Sequence, residues 1–301
     1  MKIAFTIDEN FIEPLAVTLR SFLDFHSTET LEFFLLCKQL SNANKEKVSQ
    51  IITVYSATIK IIELEEMNVE YLKVNLHFAN SNYYRLLLPD HIQEDKLLYL
   101  DADMLLKGSL REVWETDIDD YYLAAVQSPA LKWHQDLGVS RETGYFNSGV
   151  MLLNLKKWRE EDFSRKVIDY IAANPHAISF ADQCGLNALS VGKWKKLPFR
   201  YNVTTNILEE DFPFPEDEST LNKLKEAMKN PVVIHFAGPS KPWHTENWHP
   251  YKWDYWRYLS KTPFQRFFPS DFNAFNFFKF LIPVKNRRQL RDLGKKIYPI
   301  K

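Results

Sequence analysis

The chain has 301 residues, 45% hydrophobic, 15% aromatic and 26% charged, with a formal net charge of −1. That composition excludes a disordered chain and supplies enough apolar area for a packed core, at a length that fits two average domains or one large α/β domain with an extension. Glycine is scarce at 8 residues, and neither G-x-x-x-x-G-K-[ST] nor G-x-G-x-x-G occurs, which argues against phosphate cradling by a P-loop or a Rossmann turn.

In chain order, Lys2–Ile7 reads as a short strand, Phe11–Phe25 as a helix with Pro14 in its first turn, and Leu31–Cys37 as a buried strand. Ser41–Tyr55 repeats the helix with Ser41 as N-cap, and Thr58–Leu64 repeats the strand. Lys96–Leu100 is the next strand, ending at Asp101. Tyr121–Gln127 and Phe146–Leu155 read as further strands. Lys156–Ala173 reads as one helix, Asp182–Ser190 as a short helix, Ser219–Asn230 as a polar helix, and Pro231–Phe236 as a late strand. Strands separated by helices of this length imply parallel pairing with right-handed crossovers, hence an open, mostly parallel α/β sheet flanked by helices. A Pro263–Pro269 break sets the expected division into a body of residues 1–262 and an extension of residues 263–301.

The opening segment is too short for a signal-peptide core, and no stretch approaches 18 uninterrupted apolar residues. Two cysteines, Cys37 and Cys184, make neither a disulfide framework nor a cysteine zinc site. A cytoplasmic protein is the expectation. Charge is uneven: residues 261–301 carry about +8 and the first 260 about −9. The basic segment also holds eight phenylalanines, which is the pattern of a helix lying on an anionic membrane surface; packing on the acidic body is the alternative. Nucleic acid is disfavoured because the acidic body repels phosphate.

Ligands gather outside the carboxyl ends of strands in such sheets, and Asp8 and Asp101 both lie at those ends. In Asp101-Ala102-Asp103 an extended chain points both carboxylates to one side, offering two hard oxygen ligands for Mg or Mn. Asp117-Ile118-Asp119 lacks a leading apolar strand and is expected to be an ordinary surface pair. His235 closes a strand, and an imidazole beside two carboxylates favours Mn over Mg. Gly238 permits close backbone approach, and Lys241 supplies a point charge for phosphate. Asp182-Gln183 at a helix start and Asn147-Ser148-Gly149 before a strand have bland readings in isolation, as a cap and a turn.

Tyr-Leu-Asp-Ala-Asp at 99–103, Phe-Asn-Ser-Gly-Val at 146–150, Ala-Asp-Gln at 181–183 and His-Phe-Ala-Gly-Pro-Ser-Lys-Pro-Trp at 235–243 together resemble glycosyltransferase family 8. These are retaining enzymes of GT-A fold that include the bacterial lipopolysaccharide galactosyl- and glucosyltransferases. The resemblance runs from residue 1 to about 260, so it implies a GT-A catalytic domain over the body. It implies that Asp101, Asp103 and His235 hold Mn on the diphosphate of a UDP-sugar, with Ala102 between them and Gly238 and Lys241 at the phosphates. It places Thr6, Ile7, Asp8 and Asn10 in the uridine pocket, Arg85 at the sugar and phosphate, and Asn147, Asp182 and Gln183 along the donor hexose. Gln127-Ser128 stands where the family commonly has an Asp.

Retention through a covalent intermediate needs a carboxylate at the anomeric carbon, and Gln183 is a poor nucleophile. Same-face attack is expected, with Gln183 stabilising the anomeric centre, Lys241 aiding departure of UDP, and Asp182 as the fallback nucleophile. The implied function is transfer of a hexose, galactose before glucose, to a saccharide acceptor, lipid-linked and approached from the cytoplasmic face of the membrane. Trp243, Trp248, Tyr251, Trp253 and Trp256 are either acceptor-stacking or packing residues. A glycogenin-like self-glucosylating primer and a noncatalytic sugar-nucleotide- or glycan-binding membrane protein are the alternatives.

Overall fold

The computed structural model describes residues 1–53, 55–66, 81–129, 134–209, 211–265, 268–273 and 276. Strands β1 (Lys2–Ile7), β2 (Leu31–Cys37), β3 (Ala57–Glu63) and β4 (Lys96–Leu100) join β6 (Leu123–Gln127), β7 (Phe146–Asn154) and β8 (Trp194–Leu197) in one sheet of order β3-β2-β1-β4-β7-β6-β8. Pairing is parallel except that β7 runs against both β4 and β6. The expected open, mostly parallel α/β sheet is therefore the one found. Helix α1 (Ile12–Phe25) buries Leu15, Leu19 and Phe22 against one face of the sheet, with Phe5, Phe33 and Leu98 in the same cluster. Helix α2 (Asn42–Ile52) begins where Ser41 accepts the Asn44 N–H, and it adds Val48, Ile51 and Ile52 to that core.

The other face is covered by α3 (Leu155–Glu160), α4 (Phe163–Ala173) and α5 (Ala181–Leu189), which pack Trp158, Phe163, Val167 and Leu186 over Tyr99, Met151 and Leu153. The single helix expected over Lys156–Ala173 is in fact two. Asp162 at φ +50° breaks the helical path between α3 and α4.

A second sheet, not anticipated, joins β5 (Met104–Leu106), β10 (Val233–His235) and β9 (Val203–Thr204) in the order β5-β10-β9. Of the late strand expected over Pro231–Phe236 only Val233–His235 forms, and it pairs here rather than in the main sheet. Helix α6 (Glu218–Lys229) forms near its expected place, and α7 (Lys252–Leu259) appears in the tryptophan-rich stretch.

Beyond residue 262 the chain stays on the body as far as it is described. Phe264 is buried in the main core, the Ser270 N–H donates to the Trp243 carbonyl, and Asp271 Oδ1 accepts from the N–H and hydroxyl of Thr245. Residues 277–301, which carry most of the basic, Phe-rich extension, lie outside the described residues. Among the described residues no helix is long and apolar enough to cross a membrane.

Candidate active site

Strand direction assembles the site. β1 and β4 are parallel, so their carboxyl ends, at Asp8 and Asp101, lie at one edge. β7 runs the other way, so its first residues meet the end of β4: Val150 pairs with Leu100, and the Asp101 N–H donates to the Gly149 carbonyl at 2.8 Å. The chain then turns through Ala102 into β5. Thr18 of α1 fixes that turn, donating to the Ala102 carbonyl at 2.6 Å and accepting the Met104 N–H at 3.0 Å. In the second sheet His235 pairs with Met104, which sets its ring beside Asp103.

His235 Nε2 lies 3.5 Å from Asp101 Oδ2 and 3.4 Å from Asp103 Oδ1, and one donor atom from each residue falls within 4.8 Å of the others. Nδ1 of the same ring faces Asn202 Oδ1 at 3.0 Å. With Nδ1 donating there, the Nε2 lone pair points at the carboxylates, as in metal-ligating histidines oriented by an outer partner. Two carboxylate oxygens and one correctly tautomeric imidazole nitrogen fit a divalent cation.

The amides form a continuous chain. Asn202 Nδ2 donates to Asn147 Oδ1 at 2.7 Å; Asn147 Nδ2 donates to Gln183 Oε1 at 3.1 Å; and Gln183 Nε2 donates to the Tyr145 hydroxyl at 3.2 Å. Each amide orientation depends on the next, so the network sets His235 and Gln183 together. Ser148 adds its N–H to Gln183 Oε1 at 3.0 Å.

Buried Arg85 sits under the site, with Nη2 at 3.1 Å from Asp101 Oδ1, Nε at 3.1 Å from Asp182 Oδ2, and Nη1 donating to the Ser148 carbonyl at 2.8 Å. Burial opposes its charge, but the carboxylates of Asp182 and Asp101 outweigh that and hold the guanidinium protonated. For Asp182 burial wins over Arg85 and pushes the carboxyl up to about 6. Its neighbour Ala181 stands at φ +46°, an uncommon conformation for a residue with a Cβ. Burial also opposes ionisation of Asp103, yet His235 and Lys241 overcome it and hold this carboxyl well below the usual range. Lys241 Nζ lies 2.5 Å from Asp103 Oδ2 and donates to the Phe236 carbonyl at 2.7 Å.

Beside these groups opens a cleft of about 360 Å³, lined among others by Gln127, Asn147, Phe180, Gln183 and Gly238. Gly238 has φ +94°, which favours glycine. Gln127 lies against Gly144, and Phe180 is 54% exposed at the cleft.

Not every expected residue reaches the site with its side chain. Ile7 is buried in the main core, so only its backbone can face a ligand. Thr6 is also buried, with its hydroxyl at 3.0 Å from Tyr99. Asp8 Oδ1 accepts the Asn10 N–H at 2.9 Å. Asp117 accepts the Asp119 N–H in a local turn, away from the site, as expected of an ordinary pair. Trp243 packs on Phe11 and Tyr255, and Trp256 Nε1 donates to the Pro242 carbonyl, so these rings support the loop; Trp253 is 68% exposed. Thr18, Tyr99, Ser148, Gly149, Asn202 and Phe180 also support or line the site. Tyr99, Ser148 and Gly149 stand inside recognisable motifs, whereas Asn202 has no local signal.

The family model for glycosyl transferase family 8 matches residues 2–247. The chain belongs to this family. Relatives include a lipopolysaccharide 1,2-glucosyltransferase of Escherichia coli, 31% identical over 80% of this chain and 73% of its own. A lipopolysaccharide 1,3-galactosyltransferase of Salmonella typhimurium is 27% identical over 81% and 73%, and General stress protein A of Bacillus subtilis is 27% identical over 87% and 94%. The crystal structure of the galactosyltransferase LgtC with donor and acceptor sugar analogues superposes with a TM-score of 0.76, at 27% identity, covering 87% of this chain and 96% of that one. The family 8 chain is thus a glycosyltransferase of GT-A fold, similar to lipopolysaccharide glucosyl- and galactosyltransferases.

Proposed function

We propose that the protein is a retaining hexosyltransferase that moves galactose or glucose, galactose favoured, from a UDP-sugar to a saccharide acceptor in surface-glycan synthesis. The observation that carries this reading is the Asp101, Asp103 and His235 cluster, with His235 oriented by Asn202, beside a cleft that holds Gln183 and Asn147. Asp101, Asp103 and His235 would hold a divalent cation, manganese by donor type, which would supply positive charge to the diphosphate leaving group.

The chain's own residues do the rest. Lys241, swung from Asp103 to the phosphate, adds a second positive charge to the leaving group, and Gly238 lets the loop backbone approach it. Gln183 holds a fixed amide at the donor hexose and carries no ionisable group. Asp182 is buried with Oδ2 3.1 Å from Arg85 Nε, an ion pair that lowers its nucleophilicity while leaving Oδ2 without a hydrogen-bond partner among the described residues; it binds hexose hydroxyls better than it attacks an anomeric carbon. Both points favour attack by the acceptor hydroxyl on the face from which UDP leaves, with a phosphate oxygen taking the proton. Asp8 and Asn10, just past the carboxyl end of β1, are the uridine contacts in this reading. Phe180, exposed at the cleft, offers the acceptor sugar an aromatic face, a better placement than the tryptophans packed beneath the loop.

The basic extension, residues 263–301, is read as a contact to the anionic cytoplasmic face of the membrane, where a lipid-linked acceptor resides. Phe268 and Phe272 support this, 59% and 43% exposed with ring centroids 4.8 Å apart. Truncation after Asn276 should abolish binding to anionic vesicles and keep donor hydrolysis; unchanged vesicle binding would refute the contact.

The activity itself is tested by UDP release with manganese across UDP-galactose, UDP-glucose, UDP-N-acetylglucosamine and UDP-glucuronate, with and without lactose. Release from a UDP-hexose, stimulated by sugar, is the expected result. Silence with every donor while UDP still binds would overturn it, and hexoses added to the protein itself would mark a self-glucosylating primer.

A further inference from the structure

We infer that Thr6 is a positioning residue for the metal ligand Asp101, acting through the hydroxyl of Tyr99, rather than a uridine contact; the inference rests on the metal reading above. Ala4 of β1 pairs with Tyr99 of β4, and Thr6, two residues on, shares the face of Ala4. Its Oγ1 lies 3.0 Å from the Tyr99 hydroxyl, which donates to Asp101 Oδ1 at 2.9 Å. A tyrosine hydroxyl has one proton, spent on the carboxylate, so Thr6 is the donor to Tyr99. Thr6 and Tyr99 are both buried, so the relay is shielded from water.

The relay fixes which oxygen faces the metal. Asp101 Oδ1 takes hydrogen bonds from Tyr99 and from Arg85 Nη2 at 3.1 Å, while Oδ2 is turned to His235 Nε2. The guanidinium of Arg85 also stacks 4.5 Å from the centre of the Tyr99 ring, so Tyr99 is held from both sides. Without the Thr6 hydroxyl the phenol keeps its bond to Asp101 but loses the donor that polarises it and fixes its torsion. The carboxylate then samples orientations that do not present Oδ2 to the cation.

The test is the binding of labelled UDP by equilibrium dialysis over a manganese(II) titration, which needs no turnover. Thr6→Val keeps shape and β-branching but removes the hydroxyl. The half-saturating manganese concentration should rise roughly 3- to 10-fold, below the roughly 10- to 100-fold expected for Tyr99→Phe, which removes the direct partner of the ligand. Thr6→Ser should restore the wild-type value, and the double variant should be no worse than Tyr99→Phe alone, because Thr6 acts through Tyr99. UDP affinity at saturating manganese should be the same in Thr6→Val and wild type. A loss of UDP affinity that persists at saturating metal would return Thr6 to the uridine pocket and overturn the inference. So would an unchanged manganese requirement. UDP binding by the wild type that ignores manganese would instead overturn the metal reading, and the inference with it.

Discussion

Gly149 is where the smallest change should have the largest effect. A Cβ built there lies 2.4 Å from His235 Cε1, 2.8 Å from His235 Nδ1 and 2.9 Å from Asp101 Oδ2. Carbon atoms prefer separations of about 3.5–4.0 Å, so Gly149→Ala requires a displacement of about 1 Å. The backbone cannot supply it, because β7 is locked to β4 through the Gly149 carbonyl and the neighbouring pair of Val150 with Leu100. The imidazole must therefore move, breaking its bond to Asn202, while a metal site tolerates only about 0.2 Å in its ligand distances. Overpacking of this kind costs about 1–3 kcal/mol of stability. A 1 Å misplacement of a catalytic group costs about 10²-fold in rate. UDP release over a manganese titration, with a thermal melt alongside, should show turnover down by about that factor and a raised manganese requirement in a folded protein. Gly108→Ala, where the nearest atom is Val232 Cγ1 at 3.4 Å, is the control and should be near neutral. Wild-type turnover and metal requirement in Gly149→Ala would refute the geometry of the cluster.

Two further outcomes follow from the same site. Asp182, raised by burial to about 6 from 3.8, binds a proton more tightly folded than unfolded, so it costs stability as pH rises through that window. Between pH 4 and 7 the wild type should lose on the order of 2–3 kcal/mol more than Asp182→Asn in denaturant titrations, and parallel curves would disprove the shift. The depressed Asp103 has the opposite sign, but its contribution is lost only below pH 3.8, outside this window. Phe180→Ala should raise the acceptor KM roughly fivefold, from about 1 kcal/mol of lost stacking, and affect the donor KM less. An unchanged acceptor KM would place the acceptor elsewhere.

The main sheet was legible because β1, β2 and β4 are buried runs of five to seven residues that announce themselves without alternation. The second sheet was not: β5 has three residues and β9 two, too few to show a period, so the strand expected over β10 had no visible partners. Yet that sheet is what carries His235 to Asp103. The helix break at Asp162 was hidden for a different reason, since one left-handed residue leaves the apolar spacing on either side intact.

The site divides in the same way. Asp101, Asp103, His235, Asn147 and Gln183 lie beside strand or helix ends, where local sequence marks position. What orients them comes from far along the chain: Asn202 stands 33 residues from His235, Thr18 84 residues from Ala102, and Thr6 93 residues from Tyr99. Those supports are common polar residues that hydrogen-bond in unrelated surroundings just as readily, so neither residue type nor spacing distinguishes them. Their roles arise only when parallel pairing of β1 with β4, and reversal of direction at β7, close the distance. Variants of these distant supports should therefore alter metal requirement before they alter fold, which Thr6→Val and Gly149→Ala approach from opposite sides of Asp101, one by removing a bond and the other by removing space.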